Sequence, residues 1–131
     1  MKLYLKSFIK TLTASDVDRR ISNQHEFHGV KKLEDIFGII PNGTQGNLQF
    51  NATIQLGNSG GKEKLILTWY NARANTPDRH EYRLYYRVNG IINNLCAGDC
   101  LLIGQTITGL IELIIFKQNN NKFNEWTPVD Y

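Results

Sequence analysis

Two stretches of the chain alternate strictly between apolar and polar residues. In residues 47–56 one phase is apolar and the other is entirely polar, and residues 81–88 alternate in a similar way. Successive side chains of a strand point to opposite faces, so this pattern predicts half-buried antiparallel strands. The apolar phase of the first stretch consists of Leu48, Phe50, Ala52, Ile54 and Leu56.

Other segments are apolar without clean alternation. In residues 3–12, Leu3, Leu5 and Ile9 are in one phase but Phe8 and Leu12 are in the other, so either face could be the wet one. Apolar residues at helical spacing predict a short helix over residues 30–37, ended by a glycine. Further strands are predicted at 65–70, 100–107 and 110–117, and a single helical turn at 91–97.

The tally is six or seven strands with one or two short helices. Short strands separated by turn residues favour a barrel or a sandwich, so the fold class is mainly β. Closure into a barrel is favoured because it removes exposed strand edges. No linker or internal repeat divides the chain, so residues 1–131 are expected to form a single domain.

Two long polar segments, residues 13–29 and 71–80, interrupt the strands. Loops of this length in a small domain are usually functional. Their side chains match DNA base edges, since arginine can pair with guanine, asparagine or glutamine with adenine, and a carboxylate with cytosine. Asp16, Asn71, Asn75 and Asp78 could equally be ordinary turn or capping residues.

Composition limits the class of protein. The chain has 131 residues and a net charge of +3, too small an excess for a histone-like or polybasic binder but compatible with a local basic patch. It is too short to hold both a DNA-reading module and a full nuclease. There are only two cysteines, no apolar leader and no run long enough for a membrane span, which predicts a cytoplasmic protein with reduced thiols.

Two sequence elements resemble a known family. Residues Phe8–Asp16, followed by Gln24-His25 and the short helix, resemble the opening of the effector-binding domain of EcoRII-type restriction endonucleases. The more specific element is Trp69–Arg73 with Arg79–Arg83, which is similar to that family's Tyr-Tyr-Asn-Ser-Arg and Arg-Asn-Glu-x-Arg motif. The order and spacing agree over nearly the whole chain. In this chain Asp18, the following arginines and Glu26 replace a Gly/Thr-rich segment, so the recognised DNA sequence cannot be transferred.

The resemblance implies a seven-stranded open pseudobarrel related to plant B-three transcription-factor domains. Two arms would grip the major groove, an N-arm at about residues 13–29 and a C-arm at about 71–83. The chain would serve as the target-recognition or effector domain of a type II restriction endonuclease, with the nuclease in another domain or subunit. The residues expected to bind DNA are Ser15, Asp16, Arg19, Arg20, Asn23, Gln24, His25, Glu26, Arg73, Asn75, Asp78, Arg79, His80 and Arg83.

Other functions are weighed against this one. Cys96, Cys100 and the three histidines are too scattered for a zinc site, so no metal or cofactor is expected. The Pro77-Asp78 and Glu81–Arg83 residues echo a nuclease motif, but the spacer is too short and an arginine replaces the lysine, so no catalysis is expected. The rival class is a non-catalytic barrel that binds single-stranded nucleic acid, carbohydrate or a protein partner.

Overall fold

Eight strands form one sheet in the computed structural model of the protein, which describes residues 3–17, 26–40, 47–57, 60–71, 81–87, 90–118 and 121–131. The strands are β1 (Lys6–Thr11), β2 (Glu26–Phe27), β3 (Leu48–Leu56), β4 (Lys62–Asn71), β5 (Tyr82–Tyr86), β6 (Cys100–Gln105), β7 (Ile111–Phe116) and β8 (Thr127–Pro128). The helical segments are α1 (Ala14–Val17), α2 (Glu34–Phe37) and the 3₁₀ turns Val30–Leu33 and Ile92–Asn94.

The order of the strands in the sheet is β2-β5-β4-β3-β7-β6-β1-β8. Every pair is antiparallel except β3 with β7. The predicted mainly β fold, an open curled sheet with short helices, is confirmed. The eighth strand is a minor departure, since β2 and β8 have only two residues each.

The two edges of the sheet approach one another. The Lys10 ammonium on β1 and the Trp126 indole both donate to the carbonyl of His28, just after β2, at 3.2 and 3.1 Å. The Phe27 and Trp126 rings meet edge to face with centroids 6.3 Å apart. These contacts tie β2 to β1 and curl the sheet around the core.

The short helices cover one mouth of this curled sheet. Phe37, at the end of α2, stacks on Trp69 at 5.2 Å, and Trp69 stacks on Tyr82 at 4.6 Å. The Trp69 indole donates to the Gly38 carbonyl at 3.0 Å. Gly38 ends the helix with φ 95°, a conformation that suits glycine, as the sequence predicts. The aromatic stack therefore ties the helical segment to β4 and β5.

The inward phase of this segment is the one with Phe8 on β1 and Leu12 just after the strand, and both residues belong to the main core. Leu3 and Leu5, which are in the other phase, are 64% and 59% exposed, so that phase faces solvent before the strand begins. Ile9 is also buried, but in a second cluster on the other side of the sheet. This strand is therefore covered on both faces, which explains why its alternation is unclear.

The half of the sheet made of β1, β6, β7 and β8, hereafter the closed half, is covered on its outward side too. Ile9, Cys100, Leu102 and Ile114 are buried there. The C-terminal residues 121–131 supply the cover, and Tyr4 packs directly over Gly104, where an added Cβ would lie 2.5 Å from the ring. This double burial produces the continuous apolar runs of β6 and β7.

The other half, β2 to β5, is hereafter the open half. Its inward residues join the main core, but the outward side of β3, β4 and β5 is partly or fully exposed. We call this outward side the open face. No helix in the described residues is long and apolar enough to cross a membrane. The outward positions on the open face are Gln49, Asn51, Thr53, Gln55, Lys62, Lys64, Ile66, Thr68, Tyr70, Arg83, Tyr85 and Arg87.

Candidate functional site

Both polar segments are anchored on β5. The N-arm returns to the sheet at Glu26, which is paired with Tyr85, and the C-arm begins at Asn71, which is paired with Tyr82. Tyr82 and Tyr85 are three positions apart on β5, which is about 10 Å at roughly 3.3 Å per residue. The anchors themselves lie on opposite sides of β5, because β2 and β4 flank it. The strand pairing therefore brings together two segments that are far apart in sequence.

The described ends of the N-arm converge on the buried carboxylate of Asp16. Oδ2 accepts hydrogen bonds from the Thr13 amide and hydroxyl, at 2.9 and 3.0 Å, and from the Lys10 ammonium at 3.0 Å. Oδ1 accepts from the His28 amide at 2.8 Å. The Tyr86 hydroxyl donates to the Asp16 carbonyl at 2.8 Å. One carboxylate thus joins residues on both sides of the segment 18–25.

This network gives Asp16 a structural task at the base of the N-arm. The Lys10 and Asp16 side chains are both almost fully buried, and a buried ion pair needs such additional hydrogen bonds to offset its desolvation. The sequence predicts that Asp16 either binds DNA or acts as a turn or capping residue. The hydrogen bonds of its carboxylate to described protein groups agree with the capping role. Ser15, the neighbouring predicted residue on α1, is exposed.

The base of the C-arm is closed by a simpler contact. The side-chain oxygen of Asn71, a residue that is 5% exposed, accepts a hydrogen bond from the Glu81 amide at 3.0 Å. This bond spans the segment 72–80. The capping interpretation of Asn71 is confirmed, and its buried amide fixes where both strands end.

Arg83 lies on the open face between two carboxylates. Its guanidinium nitrogens are 3.9 Å from Glu26 and 3.8 Å from Glu81, and its side chain is 34% exposed. Desolvation lowers the pKa of Arg83, but the charge of Glu26 and contacts with Tyr70, Tyr85 and Glu81 outweigh it, so the pKa rises above its ordinary value. Arg83 is therefore a charged group beside both anchors, flanked by two carboxylates.

Two tyrosines stack next to Arg83. The rings of Tyr70 and Tyr85 are nearly parallel with centroids 5.3 Å apart, and their hydroxyls are hydrogen-bonded at 2.8 Å. Burial, the hydrogen bond to Tyr70 and the charge of Glu26 raise the pKa of Tyr85 to about 12. Both side chains are only partly buried, so the pair can offer a hydroxyl proton to a ligand at neutral pH.

A cleft of about 500 Å³ lies beside these groups, lined by residues 26–31 and 81–83. Glu26 is 5% exposed, and its Oε2 atom has no hydrogen-bond partner among the described residues. A guanidinium nitrogen of Arg83 lies 3.9 Å from this oxygen. The buried carboxylate therefore acts on Arg83 through charge rather than through a close hydrogen bond.

Four of the predicted site residues lie in the described chain. Ser15 is exposed on α1, Asp16 is buried, Glu26 is buried in the cleft and Arg83 is on the open face. The structure brings Glu26 and Arg83 together, a contact that no sequence pattern predicts. The remaining ten lie outside the described residues, namely Arg19, Arg20, Asn23, Gln24, His25, Arg73, Asn75, Asp78, Arg79 and His80.

The predicted site residues do not include Lys10, Tyr70 or Tyr85, which lie in this region. Alternation does place Tyr85 opposite to Tyr82 and Leu84, and the structure confirms this, so the signal for an outward tyrosine was present. No local signal marks Lys10, because its partner Asp16 is reached only after the chain leaves β1.

The described residues hold no cluster of three or more His, Cys, Asp or Glu side chains that could ligate a metal. Cys96 is exposed and Cys100 is buried, and both are free thiols.

The chain is similar in structure to the B3 domain of the UbaLAI restriction endonuclease, which was crystallised with cognate DNA. The identity is 17%, the match covers 98% of this chain and 91% of that chain, and the TM-score is 0.48. A likeness at this level does not identify a ligand. No family model and no curated protein matches the chain.

Proposed function

We propose that this chain is a sequence-specific binder of double-stranded DNA. The N-arm (13–29) and the C-arm (71–83) would enter the major groove, phosphate contacts would set the register, and arm side chains would read bases. The chain itself would carry no catalysis. It would act in the cytoplasm as the target-recognition or effector domain of a type II restriction endonuclease, delivering or activating a nuclease domain or subunit.

The observation that carries this proposal is the convergence of both arms on β5. Their anchors pair with Tyr85 and Tyr82, which are three positions apart on this strand, so both arms leave the sheet from one short region. Each anchor is closed by a buried polar side chain, Asp16 for the N-arm and Asn71 for the C-arm. Side chains that read bases must be held by rigid elements, and these closures supply that support.

Arg83 would be the contact nearest to the centre of the interface. It is partly exposed, permanently charged and oriented by Glu26 and Glu81. A guanidinium held this way suits a phosphate or a guanine edge. Because Glu26 is buried beside it, we assign Glu26 to holding Arg83 rather than to contacting a base.

Selection from a random duplex library tests the proposal. The expected result is enrichment of a single short site. The affinity for this site should fall steeply as the salt concentration rises, and the binding should persist in the presence of competitor DNA. Arg73→Ala and Arg79→Ala should fold normally and lose about 1–3 kcal/mol of discrimination at individual base pairs. Lys122→Ala, an exposed residue of the C-terminal cover, is the matched control and should bind as the parent protein does.

Two results would overturn the proposal. An unenriched pool would exclude sequence-specific duplex binding. Wild-type affinity of both arginine variants for the selected site would exclude the C-arm as a reader. Binding of single strands in preference to duplexes, or of carbohydrate or protein ligands only, would support the rival class of barrel.

A further inference from the structure

We propose that the DNA interface extends beyond the two arms onto the open face, where Lys64 and Arg87 bind the phosphate backbone of the duplex. This inference rests on the proposed DNA-binding function and adds a second kind of contact to it. Neither residue belongs to an arm, and neither is expected from the family resemblance.

Basic residues are concentrated on the open face. Four of its described outward positions are basic and none is Asp or Glu, while Glu26 on β2 and Glu112 on β7 border it on the same side of the sheet. Lys62 is paired with Glu112 on β7 at 3.2 Å, and Arg83 lies between Glu26 and Glu81. Lys64 and Arg87 are exposed on the same face.

The register places these two cations side by side. The Arg87 amide donates to the Ile66 carbonyl at 3.2 Å, so Arg87 continues β5 opposite Ile66. Lys64 is the next outward position on β4. Such diagonal neighbours on adjacent strands are roughly 7–8 Å apart. The pair thus forms a local basic patch near the end of β5 that is remote from the C-arm.

The rest of the open face consists of hydrogen-bonding groups suited to phosphate and sugar oxygens. The neutral outward positions on β3 include Gln49, Asn51 and Thr53. Thr68 lies opposite Gln49 on β4. Side chains of this kind, with arginine and lysine, make most protein–DNA contacts to the backbone. The Tyr70 and Tyr85 hydroxyls continue this set towards Arg83.

The composition of the face favours a polyanion over a protein partner. Among its described outward residues Ile66 is the only aliphatic one, whereas the core of a protein interface is depleted in charge and rich in apolar groups. The face also begins beside the anchors of both arms on β5, so it adjoins the region that the proposed function assigns to DNA. We therefore commit to the backbone of duplex DNA as the occupant.

A salt series with Lys64→Gln, Arg87→Gln and the double variant tests this inference. Each lost phosphate contact should reduce the slope of log K against log salt by about 0.9, and the double variant by about 1.8. Both the selected duplex and an unrelated duplex should be weakened by the same factor, because backbone contacts carry no sequence information. Thermal unfolding should be unchanged, since both side chains are exposed.

Lys122→Gln is the control, because it removes the same charge from the cover of the closed half. If Lys64→Gln and Arg87→Gln keep the parent slope while the parent protein binds its selected duplex, the inference is wrong and the proposed function stands. If the library shows no enrichment but duplex binding still depends on Lys64 and Arg87, the inference stands and sequence specificity is lost. Absence of any duplex binding would overturn both.

Discussion

The closed and open halves of the sheet share one core but differ in what covers their outward sides. Ile114 on β7 and Ile66 on β4 both point outward, yet Ile114 is 2% exposed beneath the C-terminal residues and Ile66 is partly exposed. On the closed half the outward side chains are buried and stabilise the fold. The open half keeps its outward side chains accessible, and both arm anchors lie there.

This difference separates the residues that fold the chain from those available to a ligand. On the closed half a change at an outward position should act on folding, whereas on the open face it should act on binding. The largest effect is expected at the point where the halves meet.

Asp16→Asn should destabilise the protein most. The change leaves the Lys10 ammonium buried without its counter-charge, and breaking a buried pair costs about 3–5 kcal/mol. Denaturant unfolding measures the loss. Asp35→Asn, on the exposed side of α2, is the matched control and should cost less than about 1 kcal/mol. Similar losses for the two variants would show that the Asp16 network does not join the halves.

Ile114→Ala and Ile66→Ala compare the two outward sides directly. The first removes packed methyl groups and should lower the free energy of unfolding by about 2–5 kcal/mol. The second removes a partly exposed side chain and should cost under about 1 kcal/mol. Equal costs in urea or thermal unfolding would mean that the open face is covered as well as the closed one.

A smaller effect should appear at acid pH on the closed half. Desolvation raises the pKa of Asp99, but hydrogen bonds from Lys117, Gln118 and Cys96 outweigh it and hold the pKa below its ordinary value of 3.8. A carboxyl with a lowered folded pKa stabilises the fold above its unfolded pKa, and this stabilisation is lost as pH falls through the folded value. Unfolding measured between pH 6 and about pH 2 should show this loss, and Asp99→Asn should flatten it. An unchanged profile in the variant would assign the acid sensitivity elsewhere.

The sequence predicts the long elements of both halves for different reasons. Alternation defines β3 and β5 because one face is wet. Apolar runs, Cys100–Ile103 in β6 and Leu113–Phe116 in β7, define the other two strands because both faces are covered there. The strand β2 and helix α1 have no such pattern, since Glu26–Phe27 and Ala14–Val17 are too short for periodicity. They exist through tertiary contacts, namely the pairing with β5 and the bonds to Asp16.

The candidate site was predictable in kind but not in arrangement. Arg83 and Glu26 could be chosen by residue type, but their 3.9 Å contact depends on the pairing of β2 with β5, which links residues distant in sequence. Lys64 and Arg87 each look like an ordinary solvated cation. Only the register of β4 and β5 makes them neighbours.

Backbone chemical-shift mapping of the labelled protein with its selected duplex tests the contrast between the halves most directly. Shifts should concentrate on the two arms and on β2 to β5, with Arg83, Lys64 and Arg87 among the most affected residues. The C-terminal cover, including Lys122, should stay unchanged. Chemical-shift changes centred on the closed half, without changes on the open face, would contradict the assignment of DNA binding to the open half.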